Sequence, residues 1–387
     1  IKQMSTTFDK IVSSIRDHYN EPEEFIPLHA PTFEGNEGKY VLEAISSTFV
    51  SSVGKFVNEF EDRICSYTGA KFAVATVNGT AGLHMALLVA GVKRGDLVIT
   101  QPLSFIATCN AISYLGAEPI FVDIDDDTLG LSPEKTRKFL ELNCKVKGHS
   151  CIHVASGRKI AACVPMHTFG HPVHLCDLVD VCEEFCIPLV EDAAESIGSL
   201  YYGKHTGTFG LLGVFSFNGN KTITCGGGGV IVTNDAKLAK LAKHLTTQAK
   251  IPHAWKFTHD QIGYNYRLPN LNAAMACAQL EMLDRLLSNK RMLAMEYMDL
   301  FQKLNLQFVC EPQGAHSNYW LNSVLFKNRE ERDSFLMYSN DKRVMTRPVW
   351  DLMTELAMFK DCIRMDISSA KLIADRLVNL PSSPIIK

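Results

Sequence analysis

Phe215-Ser216-Phe217-Asn218-Gly219-Asn220-Lys221-Thr222-Ile223-Thr224-Cys225-Gly226-Gly227-Gly228-Gly229 closes one apolar run and leads directly into another, 230–233. The joint is too short for a crossover helix, so runs 213–217 and 230–233 read as an antiparallel hairpin or edge. Upstream, from residue 71 onward, β-rich runs at 72–77, 97–100, 119–123, 160–165 and 187–191 alternate with helix-like segments. That alternation predicts a mainly parallel sheet covered by helices on both faces, an α/β fold with the hairpin as its exception.

Lys221 is the unusual residue of the opening stretch. It sits on a short polar loop with no acidic neighbour in sequence, and four glycines follow it, so other atoms can approach closely. A solubility lysine belongs on a charged helix face; this one reads as a reactive amine able to form a Schiff base.

In open α/β sheets ligands lie beyond the carboxyl ends of the strands. After run 72–77 comes Asn78-Gly79-Thr80-Ala81-Gly82 and then a helix over 83–89, and free N–H groups at a helix start suit a phosphate. A plain helix cap is the alternative. Run 97–100 is followed by Ser104-Phe105-Ile106-Ala107-Thr108, where Phe105 is either a core ring or a stacking face. Run 187–191 delivers Asp192 in Glu191-Asp192-Ala193-Ala194-Glu195, and a carboxylate at the end of an apolar strand calls for a cationic partner or an N-capping job. Ser216, five residues before Lys221, is placed to share the phosphate. Phosphate cup, flat ring, carboxylate and amine together describe a site for pyridoxal 5'-phosphate (PLP).

With these motifs assembled, the chain resembles the DegT-type sugar-nucleotide aminotransferases, fold type I PLP enzymes, from Ile26-Pro27-Leu28 to Leu380-Pro381-Ser382-Ser383. Gly263-Tyr264-Asn265-Tyr266-Arg267 completes the match. The resemblance implies that Gly79, Thr80, Ala81 and Ser216 hold the phosphate, that Phe105 stacks on the cofactor, and that Asp192 faces the pyridine nitrogen. It places Glu195 near the phenolic oxygen and makes Lys221 the amine that bonds the aldehyde. It also implies a homodimer with shared sites, in which Asn265 reaches the neighbouring subunit's phosphate. Gly226–Gly229 in place of Gly-Glu-Gly-Gly, and Glu195 in place of Gln or His, are similar to the branch making 4-amino sugars for nonulosonic acids such as legionaminic acid, and to perosamine-type enzymes. Ser51-Ser52-Val53-Gly54-Lys55 and Thr346-Arg347-Pro348-Val349-Trp350 point the same way. A dehydratase offshoot of the family carries histidine at the lysine position. Retention of Lys221 therefore favours amine transfer from glutamate to a nucleotide-linked keto sugar, a UDP-4-keto-6-deoxy sugar being the first expectation, in surface polysaccharide or nonulosonic acid biosynthesis.

At 387 residues the chain exceeds one core. The expected division is an N-terminal helix over 1–25 docked on the small domain, a large PLP-binding domain over 26–250, and an interdomain helix plus small α/β domain over 251–387. Residues 271–304 read as one long helix or two in succession. A net charge of -3 without blocks of either sign offers nothing to nucleic acid or membranes. No apolar run nears the ~20 residues of a membrane span, and the 12 scattered cysteines read as reduced thiols of a cytoplasmic protein.

Two rival readings follow from other residues. His167, His171, His174 and Cys176 fall within ten positions and would suit a metal. A PLP fold acting only as a sensor is the other. The methionines at 275, 282, 292 and 295 and the Cys182/Cys186 pair read as packing, and Arg347 as a carboxylate or diphosphate ligand or a brace.

Overall fold

The computed structural model describes residues 2–386, with side chains from residue 6 onward. Its centre is a sheet in which strands Phe72–Thr76, Gly229–Thr233, Leu212–Ser216 and Val190–Asp192 lie side by side. Parallel bridges Cys163↔Leu189 and Met166↔Asp192 continue it into Lys159–Val164, Leu97–Thr100 and Glu118–Phe121. Seven strands thus form one surface, all parallel except Gly229–Thr233, which runs antiparallel to both neighbours.

The hairpin expected from the Lys221 stretch is present, but its second strand is interior rather than an edge. The reason is local. Gly229 pairs with Thr76, and a Cβ on Gly229 would lie 2.6 Å from the Asn78 carbonyl carbon, so the last glycine of the run lets this strand slide in beside Phe72–Thr76. Three hairpins were not foreseen, among them a short one of Lys250–Ile251 with Thr258–His259. A hairpin of Cys144–Lys147 and Ser150–His153 extends the sheet, and a smaller one pairs Leu200–Tyr201 with Lys204–His205.

Helix Asn270–Lys303 is continuous over 34 residues and packs its first half on helices Glu37–Ser46 and Lys55–Thr68. Beyond it, Gln307–Phe308, Asn322–Leu325, Leu377–Leu380 and Arg347–Pro348 make a separate antiparallel sheet. Helix Lys2–Tyr19 presents Phe8, Ile11, Val12 and Ile15 to a core shared with Phe301, Phe326 and Phe335. That apolar spacing is what selects the helix face that docks. None of the described helices is long and apolar enough to cross a membrane.

Candidate active site

The carboxyl ends of the central strands converge on a cavity of about 360 Å³. It is lined by Gly79, Thr80, Phe105, Asp192, Glu195, Ser216 and Lys221, so seven residues singled out from sequence meet at one place.

Helix Gly79–Val89 begins at this cavity. Asn78 caps it by accepting a hydrogen bond from Ala81 N–H at 2.8 Å. Ala81 N–H is thus engaged by the Asn78 side chain, and Ala81 does not line the cavity. Gly79 and Thr80 occupy the first two helical positions, whose N–H groups have no carbonyl partner within the helix. Ser216, at the end of Leu212–Ser216, stands against them; a Cβ on Gly79 would lie 2.9 Å from the Ser216 Cβ. Two backbone donors and one hydroxyl thus face a common space, and only glycine at position 79 permits that approach.

Asp192 ends its strand almost fully buried. It accepts from Thr108 Oγ1 at 2.6 Å and from Ala194 N–H at 3.2 Å. Burial pushes its pKa up, while Thr108, Ala194 N–H, Lys221 and His167 pull it back down. Neither hydrogen bond brings a cation to this carboxylate. No helix directly follows Asp192, so the N-capping alternative is not realised; the Ala194 bond closes a local turn, and Asp192 lines the cavity.

Lys221 has an acidic neighbour in space that its sequence surroundings hide. Its Nζ lies 3.4 Å from Glu195 Oε1 and 4.1 Å from the centroid of the Trp320 ring. Glu195 also accepts from Phe169 N–H at 2.9 Å. Burial pushes the Glu195 pKa up to about 7, with Lys221 and the Phe169 N–H opposing it. Phe105 is 45% exposed, which removes the core reading and leaves a ring on the cavity wall, tilted against Trp350 at 5.9 Å. Flat ring, phosphate cup and buried carboxylate fit PLP by their chemistry.

Asn265 is exposed and lies outside this cavity. Its loop is pinned to the site all the same, through Val77 N–H to the Tyr266 carbonyl at 2.9 Å. Arg347 is likewise outside, bonded to Asn340 Oδ1 and the Thr346 carbonyl. Sequence reasoning missed Trp320 because it lies on the loop leading into the C-terminal sheet, before strand Asn322–Leu325, where strand-end logic does not reach. An indole within a polar Ser317-Asn318-Tyr319 run was its only signal.

The four metal candidates diverge. His167 pairs with Glu191 at 3.1 Å and accepts from Val173 N–H, His171 meets Ser317, His174 meets Asp127, and Cys176 is exposed. Among the described residues the only grouping at ligand distance is Asp125, Asp127 and His174, on the surface and away from Lys221.

Comparison with known proteins agrees with this geometry. Residues 31–387 match the profile of the DegT/DnrJ/EryC1/StrS aminotransferase family. The chain is 37% identical over 361 residues to GDP-perosamine synthase of Escherichia coli O157:H7, covering 93% of this chain and 94% of that one. It is 33% identical to the enzyme of the same name from Vibrio cholerae, with coverage of 93% and 94%. The crystal structure of the aminotransferase TlmJ from Streptoalloteichus hindustanus superposes with a TM-score of 0.81 at 26% identity, covering 92% of this chain and 93% of that one. From the cavity and these matches together, the chain belongs to the DegT/DnrJ/EryC1/StrS family and is a PLP-dependent sugar aminotransferase.

Proposed function

We propose that the chain moves an amino group from glutamate to a 4-keto-6-deoxy sugar carried on a nucleoside diphosphate, and that it does so as a homodimer. The observation that carries this reading is the placement of Lys221, Glu195 and Asp192 around one cavity, with Gly79, Thr80 and Ser216 at its phosphate end.

PLP, when bound, supplies an aldehyde for imine exchange and a ring that accepts an electron pair. Asp192 then holds a proton at the ring nitrogen, a role suited to a buried carboxylate that lacks a close cation of its own. The Lys221 amine takes the proton from the donor's α-carbon and, in the second half of the exchange, a proton is delivered by the same amine to the sugar carbon that carried the keto group. Glu195, ionising near neutral pH beside Lys221, accepts a hydrogen bond from the amine and holds it at the cavity wall. Gly79 N–H, Thr80 N–H and Ser216 Oγ bind the phosphate, and Phe105 with Trp350 and Trp320 excludes water from the reacting face.

The exposed Asn265, on a loop tied to the site but outside the cavity, supports a residue that serves a second subunit. For the nucleotide, the UDP expectation rested on resemblance alone, whereas the relatives are named for a GDP-linked product. Those names favour GDP as the first substrate to try. Purified protein is to be assayed with glutamate and UDP-, GDP- and dTDP-linked keto sugars. Turnover of one nucleotide class with glutamate supports the reading, and failure of all three with cofactor bound rejects the proposed acceptor.

A further inference from the structure

Lys290 lies midway along helix Asn270–Lys303 and is completely buried. A lysine in that position is costly, because a hydrocarbon side chain would fill the space without desolvating an amine. Its Nζ contacts the Ser382 carbonyl at 2.6 Å, the Trp320 carbonyl at 3.1 Å and His29 Nε2 at 3.0 Å. An ammonium donates to all three acceptors. A neutral amine donates to both carbonyls and accepts from His29 Nε2–H. The three contacts therefore persist in either protonation state. Burial lowers the Lys290 pKa to about 7, so both states are within reach.

What this amine holds is the residue beneath Lys221. Trp320 donates its indole N–H to the Asn220 carbonyl at 2.8 Å, immediately before Lys221 in the chain, and its ring lies under the Lys221 amine. On the other side Trp320 N–H donates to Asn318 Oδ1 at 2.8 Å, and Asn318 Nδ2 donates to the Glu195 carbonyl at 2.8 Å. Asn220, Lys221, Glu195, Asn318 and Trp320 thus form a closed circuit of contacts. Lys290 fastens that circuit to the long helix, to the C-terminal segment at Ser382 and to the N-terminal segment at His29. His29 itself feels the charge of both lysines, and its Nδ1 is shut from solvent with no partner.

We propose that Lys290 is a positioning residue for the reaction, acting through the Trp320 carbonyl to fix the indole that orients the Lys221 amine. The proposal rests on Lys221 being the reactive amine, and it predicts that the effect of removing Lys290 passes through the indole.

The test is a double-mutant cycle of Lys290→Met and Trp320→Phe, read as kcat and KM for the amino donor. Lys290→Met is expected to lower kcat about tenfold with KM for the donor within about threefold, and to lower it less than about twofold when Trp320 is already Phe. An equal loss in both backgrounds overturns the proposal. A second readout needs no cofactor. In cofactor-free Trp255→Phe/Trp350→Phe protein, where Trp320 is the only tryptophan, Lys290→Met is expected to shift the indole emission, and an unmoved spectrum contradicts the proposal. If Lys290→Met does not fold, the unsubstituted protein decides: the Lys290 ammonium resonance, observed by ¹⁵N NMR, should move when PLP is loaded, and an unchanged resonance overturns the proposal. Borohydride trapping on the same samples tests the Lys221 assignment separately.

Discussion

The Lys221 amine lies 3.4 Å from a Glu195 carboxylate oxygen, with 11% and 1% of the two side chains open to solvent. Two groups of opposite charge type, far apart in sequence, are here held within hydrogen-bond reach of each other. The pairing explains why a lysine without acidic neighbours in sequence is tolerated at the floor of a cavity. Burial, which outweighs the opposing pull of Lys221, makes Glu195 a group whose protonation near neutral pH has consequences.

Because the Glu195 pKa rises on folding to about 7, the folded chain holds this proton more tightly than the unfolded chain does. The associated stability is complete below the ordinary carboxylate pKa and is lost as pH rises through about 7. Glu195→Gln removes that dependence. Melting temperatures of cofactor-free protein, taken from about pH 5 to about pH 8, should show the unsubstituted chain losing up to about 3 kcal/mol relative to the variant. Parallel curves would contradict the shift.

Asp192→Asn removes the charge and keeps one acceptor oxygen, which can serve Ala194 N–H, while Thr108 Oγ1, bonded to the other carboxylate oxygen in the unsubstituted chain, can turn to accept from the new amide N–H. The protein should fold with PLP bound and lose about 10²-fold in kcat, the scale of a lost electrostatic partner. Single-turnover kinetics with glutamate check this, and wild-type rates would reject the role given to the carboxylate.

Gly79→Ala brings a methyl group to 2.9 Å from the Ser216 Cβ. An overpacked contact of this kind costs about 1–3 kcal/mol, and here it also closes the phosphate end of the cavity. PLP affinity, followed by fluorescence titration, should fall at least about tenfold. Gly38→Ala, where nothing lies within 4 Å, is the control and should leave affinity unchanged.

Shared sites can be tested by subunit mixing. Lys221→Ala and Asn265→Ala proteins should each be impaired alone. A mixed dimer contains one site with both residues intact, and activity should recover on mixing towards about a quarter of normal from random pairing. No recovery, with exchange verified by mass, would place Asn265 outside the partner's site.

Much of this was legible in the sequence because the site is built from strand ends, and strand ends follow apolar runs. Gly79, Phe105, Asp192, Ser216 and Lys221 each come directly after such a run or lie on the short hairpin joint, so one topological rule brings them together. The residues that escaped are those whose position depends on tertiary approach. Trp320 arrives on the loop leading into the other sheet, and Lys290 looks like an ordinary exposed lysine on a long helix until the Ser382 and His29 segments close over it. Ala81 lies within the same motif as Gly79, and its N–H is held by the Asn78 cap, a tertiary detail that the motif alone does not show. The histidine cluster was misleading for a related reason. Closeness in sequence put His167, His171 and His174 on a turning loop that points each ring at a different partner.

The central claim is that Lys221 is the amine to which the cofactor bonds. Borohydride reduction of the PLP-loaded protein, followed by proteolysis and mass mapping, tests it most directly. A pyridoxyl group on the peptide containing Lys221, absent from Lys221→Ala, is the predicted result. A modified peptide carrying any other lysine, Lys290 included, would contradict the account.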